Sequence, residues 1–586
     1  MLSVLRKNFA TRRFLIGVAL LVCALTFYWF AVLNVDYYKT GLLDLGWWDL
    51  SQHFAQAKAM TKDGYPSLNF SYQKLPSTYW SDPSQYFAQA KAIMKDGYPY
   101  LNFGYQKVPS AYPPGYPALM LPWLKVLPDA DSILAPFRTN QTIGLLLLLG
   151  TFVFYVYLGM PLTGGFAALL LATLPGFFTF CRSSLSDISA SALIVLAFMF
   201  AYLGLKEERR WKIYLAAIFL GLSLNIRVQS LFFAPLLLAM ALFPSRAKRL
   251  RWFLHCFVVL IVFALAASPS LALNTIQFHS PFKTGYDFWL AGDWPVRRSA
   301  IFSPSHIPKN AVALWRELNL HPKTWTPSRY FGTGASFVPP FVLLLCVGVF
   351  LIQLNRFVIC AFLAGLSFFA FTSSIIPEWV DTRYYLPLLM LLIAVAVLPV
   401  TWAAQNLLVA RRAVASLAVF ILFAAACVGY PSRSLANTPQ VVRLGRESEG
   451  NRFQAWDAFY FPTPPLESPW LMAERHFLKT FAAQPGIVLA DISPLFLNAL
   501  LPDTFVAMPL DGERYAKFRN VVTYDRAQAV ALVKRGLSQS LPVYALFMSQ
   551  KEMDEKSARL PQIDGYDWIV AENIPEKAVI LKLSPK

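Results

Sequence analysis

Apolar runs of helical length alternate with short polar, basic or Pro- and Gly-containing connections along the first 430 residues. In a bilayer only a helix or a closed barrel satisfies its own backbone, and about 20 apolar helical residues span the hydrocarbon core. Phe14–Leu33 is the first such run. It is too long for the apolar part of a signal peptide, and no small-residue cleavage site follows it. Further runs begin near Gln141, Gly164, Ile188, Trp211, Ser230, Trp252, Val338, Phe357, Tyr384 and Ala413. The pattern predicts a polytopic α-helical membrane protein with about 11 transmembrane helices.

After Tyr430 the pattern changes. GIVLAD, TFVAMP, PVYALFM and AVILKLS read as strands, and ERHFLKTFAA and DRAQAVALVKRGL as helices. These predict a small soluble α/β domain over 431–586, next to a membrane module over 1–430. No strand there is followed by a Gly-rich phosphate loop, which argues against nucleotide binding. Asp491, at a strand end, reads first as turn chemistry.

Composition agrees with the hydropathy: 56% hydrophobic and 15% charged residues exclude one soluble domain of 586 residues. The formal charge of +19 is better explained by topology than by nucleic acid, with a smaller share for anionic lipid headgroups. Basic clusters fall at Arg6/Lys7/Arg12/Arg13, Lys206/Arg209/Arg210/Lys212, Arg246/Lys248/Arg249/Arg251, Arg356 and Arg411/Arg412. Alternating the crossings puts all of them on one side, so the N-terminus is expected in the cytoplasm of a cell with this inner-membrane protein. Residues 34–140, 274–337 and everything after 430 are then extracytoplasmic. The six cysteines lie in or beside predicted helices and imply no disulfide framework or Cys-based metal site.

The first external segment carries an internal repeat. Residues 47–79 match 80–112 at 24 of 33 positions, which puts Asp49 and Asp82 in equivalent places. Two copies without more suggest a tandem duplication rather than a solenoid. Only the second copy runs on into YPPGYP (Tyr112, Pro113, Pro114, Gly115, Tyr116, Pro117), a rigid corner of fixed proline dihedrals and one free glycine. The ALMLPWLKVLP that follows is too short to cross and is expected as an amphipathic segment on the outer surface.

Charges at the edge of lipid are costly and tend to be kept for function. Besides Asp49 and Asp82, three places stand out: Arg182 and Asp187 in CRSSLSD, Lys283, Tyr286 and Asp287 in SPFKTGYDFW, and Glu378, Asp381, Arg383, Tyr384 and Tyr385 in PEWVDTRYYLP. The plain alternative for each is an interfacial aromatic belt with snorkelling anchors.

Together QYFAQAKAIMKDGYP, SAYPPGYP, RSSLSD, SPFKTGY and RYYLP, in that order after an Asp beyond the first helix, resemble the GT-C superfamily of integral-membrane glycosyltransferases. The likeness is to the bacterial branch related to protein O-mannosyltransferases, aminoarabinose transferases and lipopolysaccharide galacturonosyltransferases, and it covers residues 14–430. It implies transfer of a sugar from a polyprenyl-phosphate donor to an envelope glycolipid, polysaccharide or protein. It also implies Asp82 as general base, with Asp49 as the alternative, and Asp187 as the second acidic residue, which orients the acceptor or, in some relatives, helps hold a divalent cation. Arg182, Lys283, Tyr286, Arg383 and Tyr384 are the implied contacts of substrate and lipid phosphate. The sequence itself names no metal or cofactor. It departs from the aminoarabinose transferases at Ala111-Tyr112, where those enzymes carry a Glu-Lys pair before Pro-Pro. The rival readings are a lipid-linked sugar transporter or flippase, which would favour ionisable groups at the bilayer midplane, and an envelope scaffold without catalysis.

Overall fold

The computed structural model describes residues 2–34, 82–102, 107–241, 249–289, 301–318, 339–375, 382–407, 412–428, 476–477, 480–481, 484–490, 498, 501, 504–510, 526–547, 550–574 and 578–586. Its longer helices, in chain order, are α1 (Leu2–Tyr28), α2 (Asp82–Asp96), α3 (Gly115–Val126), α4 (Ala135–Tyr157), α5 (Pro161–Thr173), α6 (Asp187–Lys206), α7 (Arg210–Leu224) and α8 (Arg249–Phe278). They continue with α9 (Ile307–Leu318), α10 (Pro339–Phe350), α11 (Arg356–Ser373), α12 (Leu386–Asn406), α13 (Ala413–Val428) and α14 (Arg526–Ser538). The chain divides into two compact units: residues 1–35, 140–272 and 295–463, and residues 36–139, 273–294 and 464–586.

The first unit is a helical bundle. Among the described residues six stretches are long and apolar enough to cross a bilayer: Arg12–Leu33, Asp131–Tyr157, Asp187–Lys206, Leu250–Phe278, Arg356–Ser373 and Arg383–Asn406. Three shorter apolar helices accompany them, and the chain is a multi-pass membrane protein. The crossing expected near Ser230 is not one helix. It is a 3₁₀ turn, Val228–Phe233, followed by a short helix, Leu236–Ala241. Pro235 lies between the two, and its missing N–H interrupts the ladder.

In lipid, helices are held by close backbone approach and polar ties rather than by burial from water. A Cβ built on Gly165 of α5 would sit 2.6 Å from the Gly17 carbonyl oxygen of α1 and 2.9 Å from its Cα. Gly221 does the same for α7 against α8, where a Cβ would lie 2.5 Å from the Phe263 carbonyl oxygen. Side-chain amides repair irregular backbone. Gln141 Nε2 donates to the Val32 carbonyl in the π-helical turn that ends α1 (2.7 Å). Inside α8, Pro269 cannot donate to Leu265, and the Ser268 hydroxyl takes that carbonyl instead (2.8 Å). One turn on, Asn225 donates to the Ala266 carbonyl at 2.7 Å and accepts from the Ser270 N–H at 2.9 Å. Asn310 of α9 donates to the Ser373 and Ile375 carbonyls, two acceptors left open where α11 ends.

The second unit joins α2, α3 and a two-residue antiparallel ribbon, β1 (Leu101–Asn102) and β2 (Lys107–Val108), with a five-stranded sheet. That sheet consists of β3 (Gly486–Ala490), β4 (Phe505–Pro509), β5 (Val543–Phe547), β6 (Tyr566–Ile574) and β7 (Ala578–Pro585) in the order β4-β3-β5-β7-β6. β3 pairs in parallel with β4 and β5, whereas β7 pairs antiparallel with β5 and β6. The two faces of β3 enter different cores: Ile487 and Leu489 pack with α14, and Val488 and Ala490 with Phe477. The four expected strands are present, and β6 is an additional edge strand whose alternation is blurred by exposed Ile569 and Val570. Most of the helix expected in ERHFLKTFAA, and Asp491, lie outside the described residues.

The glycine contacts make a direct test. Gly165→Val should destabilise the purified protein by about 1–3 kcal/mol through overpacking against backbone, whereas at Gly150 a Cβ meets nothing within 4 Å. Gly150→Ala should therefore match or exceed the wild-type melting temperature in detergent.

Candidate active site

The CRSSLSD segment is expected at a membrane edge, yet every residue from Arg182 to Asp187 is buried. A short helix, Pro175–Cys181, leads in, and α6 begins at Asp187. The turn between them is fixed from α4: Asn140 Nδ2 donates to the carbonyls of Ser183 (2.8 Å) and Leu185 (2.6 Å), and its Oδ1 accepts from the Ser189 hydroxyl (3.1 Å). Asn140 is itself fully buried. Arg182 lies over the Phe178 ring at 5.4 Å from the ring centre.

Asp187 is 3% exposed, and Arg227 Nη1 donates to its Oδ1 at 2.5 Å. Its Oδ2 is buried and has no hydrogen-bond partner among the described residues. Arg227 precedes the 3₁₀ turn Val228–Phe233, donates from Nε to Gln229 Oε1 (2.7 Å), and faces the Tyr384 ring at 5.4 Å. Arg383 also stands against Tyr384, 5.0 Å from the ring centre, and donates from Nη2 to its hydroxyl (3.2 Å). The 3₁₀ turn Thr382–Tyr385 that presents this pair is anchored by the Tyr385 hydroxyl, which shares a 2.9 Å hydrogen bond with Ser373. Asp187, Arg227, Gln229, Phe368, Arg383 and Tyr384 border one small, partly open pocket.

Of the sequence-derived candidates in this unit, Asp187, Arg383 and Tyr384 thus share a pocket, while Arg182 packs beside the same turn. Arg227 escaped the sequence reading. One signal was available: a lone arginine in the short LNIRVQS connection between two apolar runs. Two arginines border the pocket: Arg227 is paired with Asp187, and the Arg383 guanidinium suits an anionic group. They do not suit a divalent cation at Asp187, whose bonded oxygen already faces Arg227. Among the described residues no group of three or more His, Cys, Asp or Glu side chains comes together.

The other candidates belong to the second unit. Asp82 opens α2, the helix made by the second copy of the repeat; Asp49 and the whole first copy lie outside the described residues, as do Glu378 and Asp381. From α2, Gln85 Oε1 accepts from the Ser110 hydroxyl and the Ala111 N–H, both at 3.1 Å, and Gln89 donates to Ser110 at 2.8 Å. This clasp seats the YPPGYP corner. The Tyr86 ring then meets Tyr112 at 5.0 Å and Tyr116 at 5.1 Å, and Tyr112 meets Tyr286 at 5.7 Å, edge to face. Pro114 immediately precedes α3 and Gly115 is its first residue, with Tyr116, Pro117, Met120 and Leu124 buried and Leu119 and Val126 exposed. The helix is therefore amphipathic, as expected. At the far end of α2 the Tyr100 hydroxyl, and then the Lys107 ammonium, hold the Asp96 carboxyl below its usual range. Lys283 is exposed, and Asp287 caps its own short helix by accepting from the Thr284 N–H (2.7 Å) and hydroxyl (2.9 Å), which is a structural task.

No family model matches the sequence, and no curated protein is similar to it in sequence. Solved structures are similar in fold. ArnT from Cupriavidus metallidurans bound to undecaprenyl phosphate aligns at 13% identity and a TM-score of 0.52, over 86% of this chain and 94% of that one. The same protein in the apo state aligns at 13% identity and a TM-score of 0.48, over 86% and 93%. The apo oligosaccharyltransferase of Archaeoglobus fulgidus aligns at 14% identity and a TM-score of 0.44, over 94% and 77%. The first of these likenesses shows the fold: the chain is ArnT-like in architecture.

Proposed function

We propose that this chain is a membrane glycosyltransferase that moves a sugar from a polyprenyl-phosphate donor to an acceptor on the extracytoplasmic face. One observation carries the reading: a buried carboxylate, Asp187, whose Oδ2 has no hydrogen-bond partner among the described residues, borders the same pocket as the Arg383 guanidinium. The ArnT of similar fold was solved with undecaprenyl phosphate, a ligand whose phosphate matches that pocket's charge. The topology we propose has a cytoplasmic N-terminus, the membrane module over 1–430 and an extracytoplasmic α/β domain over 431–586.

In the proposed reaction an acceptor hydroxyl attacks the anomeric carbon of the donor. A carbon–oxygen bond to the acceptor forms, and the bond from that carbon to the phosphate oxygen breaks. The acceptor's proton passes to a carboxylate, which must lie within hydrogen-bond reach. Asp82 has this role, with Asp49 as the alternative, and Asp187 orients the acceptor through its open oxygen. Polyprenyl phosphate leaves with its charge developing toward Arg383, where fixed donors lower the barrier most. Arg182, Lys283, Tyr286 and Tyr384 are the further proposed contacts of substrate and lipid phosphate, and Tyr112 to Gly115 are the proposed loop closure.

The assay uses purified protein, radiolabelled polyprenyl-phosphate sugars and candidate acceptors. Asp82→Asn and Asp187→Asn should each lower transfer by about 10²- to 10⁴-fold, while Asp49→Asn stays near wild type. Full activity in both of the first two variants defeats the assignment, and a loss confined to Asp49→Asn gives the base to the first copy of the repeat. Consumption of no such donor, with lipid-linked sugar crossing vesicles instead, would make the protein a transporter. Separately, Arg383→Ala should cost about 10²-fold in turnover, the usual size for losing one fixed donor to a developing anion, and Arg383→Lys should recover only part, because a single ammonium cannot reproduce the planar fork.

A further inference from the structure

We infer that Arg227 is a positioning residue of this site, which acts through Asp187. The inference rests on the transferase reading above. A carboxylate can present two oxygens to a substrate, but here Arg227 Nη1 occupies Oδ1 at 2.5 Å while Oδ2 is buried beside the pocket with no partner among the described residues. The pairing therefore selects which oxygen works and fixes the plane in which it lies.

Arg227 is well built for that task. Its Nε is held by Gln229 at 2.7 Å and its face by the Tyr384 ring at 5.4 Å, so three directions of the guanidinium are constrained at once. The backbone beneath it is fixed as well. Asn225, two residues earlier, is stitched across the Pro269 break of α8 through Ala266 and Ser270, and the Arg227 N–H donates to the Ser223 carbonyl at 2.9 Å. A side chain so placed can tolerate neither shortening nor rotation without moving Asp187. Tyr384 also receives the Nη2 hydrogen bond of Arg383, so the orientation of the carboxylate and that of the second cation are set by one ring.

A positioning residue and a donor-binding residue differ in kinetics. Arg227→Ala should lower kcat by about 10²-fold, the cost of a displacement near 1 Å in a catalytic group, and leave KM for the polyprenyl-phosphate donor within about threefold. Added guanidinium ion should restore part of the lost kcat, and added ammonium should not. In the Asp187→Asn background the same Arg227→Ala change should have no further effect, because the two residues act as a unit. This double variant also removes both members of the buried pair, which protects folding where a lone buried carboxylate would not. If Arg227→Ala does not fold, Arg227→Lys takes its place in the same cycle, with the same pattern of reduced kcat and steady KM. A raised donor KM with unchanged kcat makes Arg227 a donor ligand and overturns the inference, as do additive losses in the cycle. Wild-type protein that transfers no sugar from any such donor removes the transferase reading and this inference with it; active wild type with a fully active Arg227→Ala removes this inference alone.

Discussion

A bilayer gives a polypeptide no hydrogen bonds, so each break in a spanning helix has to be repaired by the chain itself. The bundle meets this demand with side-chain amides. Asn140 holds the 183–185 turn, Gln141 the π-helical end of α1, Asn225 the proline break in α8 and Asn310 the end of α11. Each amide offers donors and an acceptor on one short, stiff arm. The irregular backbone that results is what brings polar chemistry inside: without the Asn140 clasp the Arg182–Asp187 turn would have open carbonyls in a water-poor place, and Asp187 would have no fixed origin.

The charged residues obey the same rule at greater cost. Removing a carboxylate and a guanidinium from water is repaid only when geometry and further hydrogen bonds are good. Among the described residues the Asp187–Arg227 pair meets that condition on one side only, since Oδ2 has no partner there while Arg227 is tied to Gln229 and Tyr384. An apolar pair of similar volume would hold the helices together at least as well. A buried pair of this kind is therefore weak evidence for stability.

Much of this could be read from the amino-acid order. Of the 11 expected crossings, six fall in stretches long and apolar enough to span, because a run of apolar residues in lipid has one economical conformation; those near Gly164, Trp211, Val338 and Ala413 fall at shorter helices. The Ser230 region misled because Pro235 sits within an apolar run, and hydropathy weighs composition, not backbone donors. Asp187 was legible because a short connection needs no acid, and Arg383 and Tyr384 because a cation and tyrosines crowd a helix start. Arg227 was hidden by its surroundings: its partner lies 40 residues away, and nothing local marks a pairing made by tertiary contact. The strand β6 was missed for a similar reason, since an edge strand buries only part of itself and its polar residues interrupt the period-two pattern. The stiffness of the YPPGYP corner follows from its prolines, whereas its seat on Gln85 and Gln89 of α2 is made by tertiary contact that no local pattern marks.

The second unit has a further consequence, in time rather than space. Its three segments end at residue 139, occupy 273–294 and resume at 464, and between them the ribosome must make, and the membrane must receive, most of the bundle. At ordinary rates of synthesis the first segment waits on the order of tens of seconds for the last. The Tyr112–Tyr286 contact can form part-way through that interval, but all five strands of the sheet belong to the last segment. Completion of this unit therefore waits for the last of its three segments.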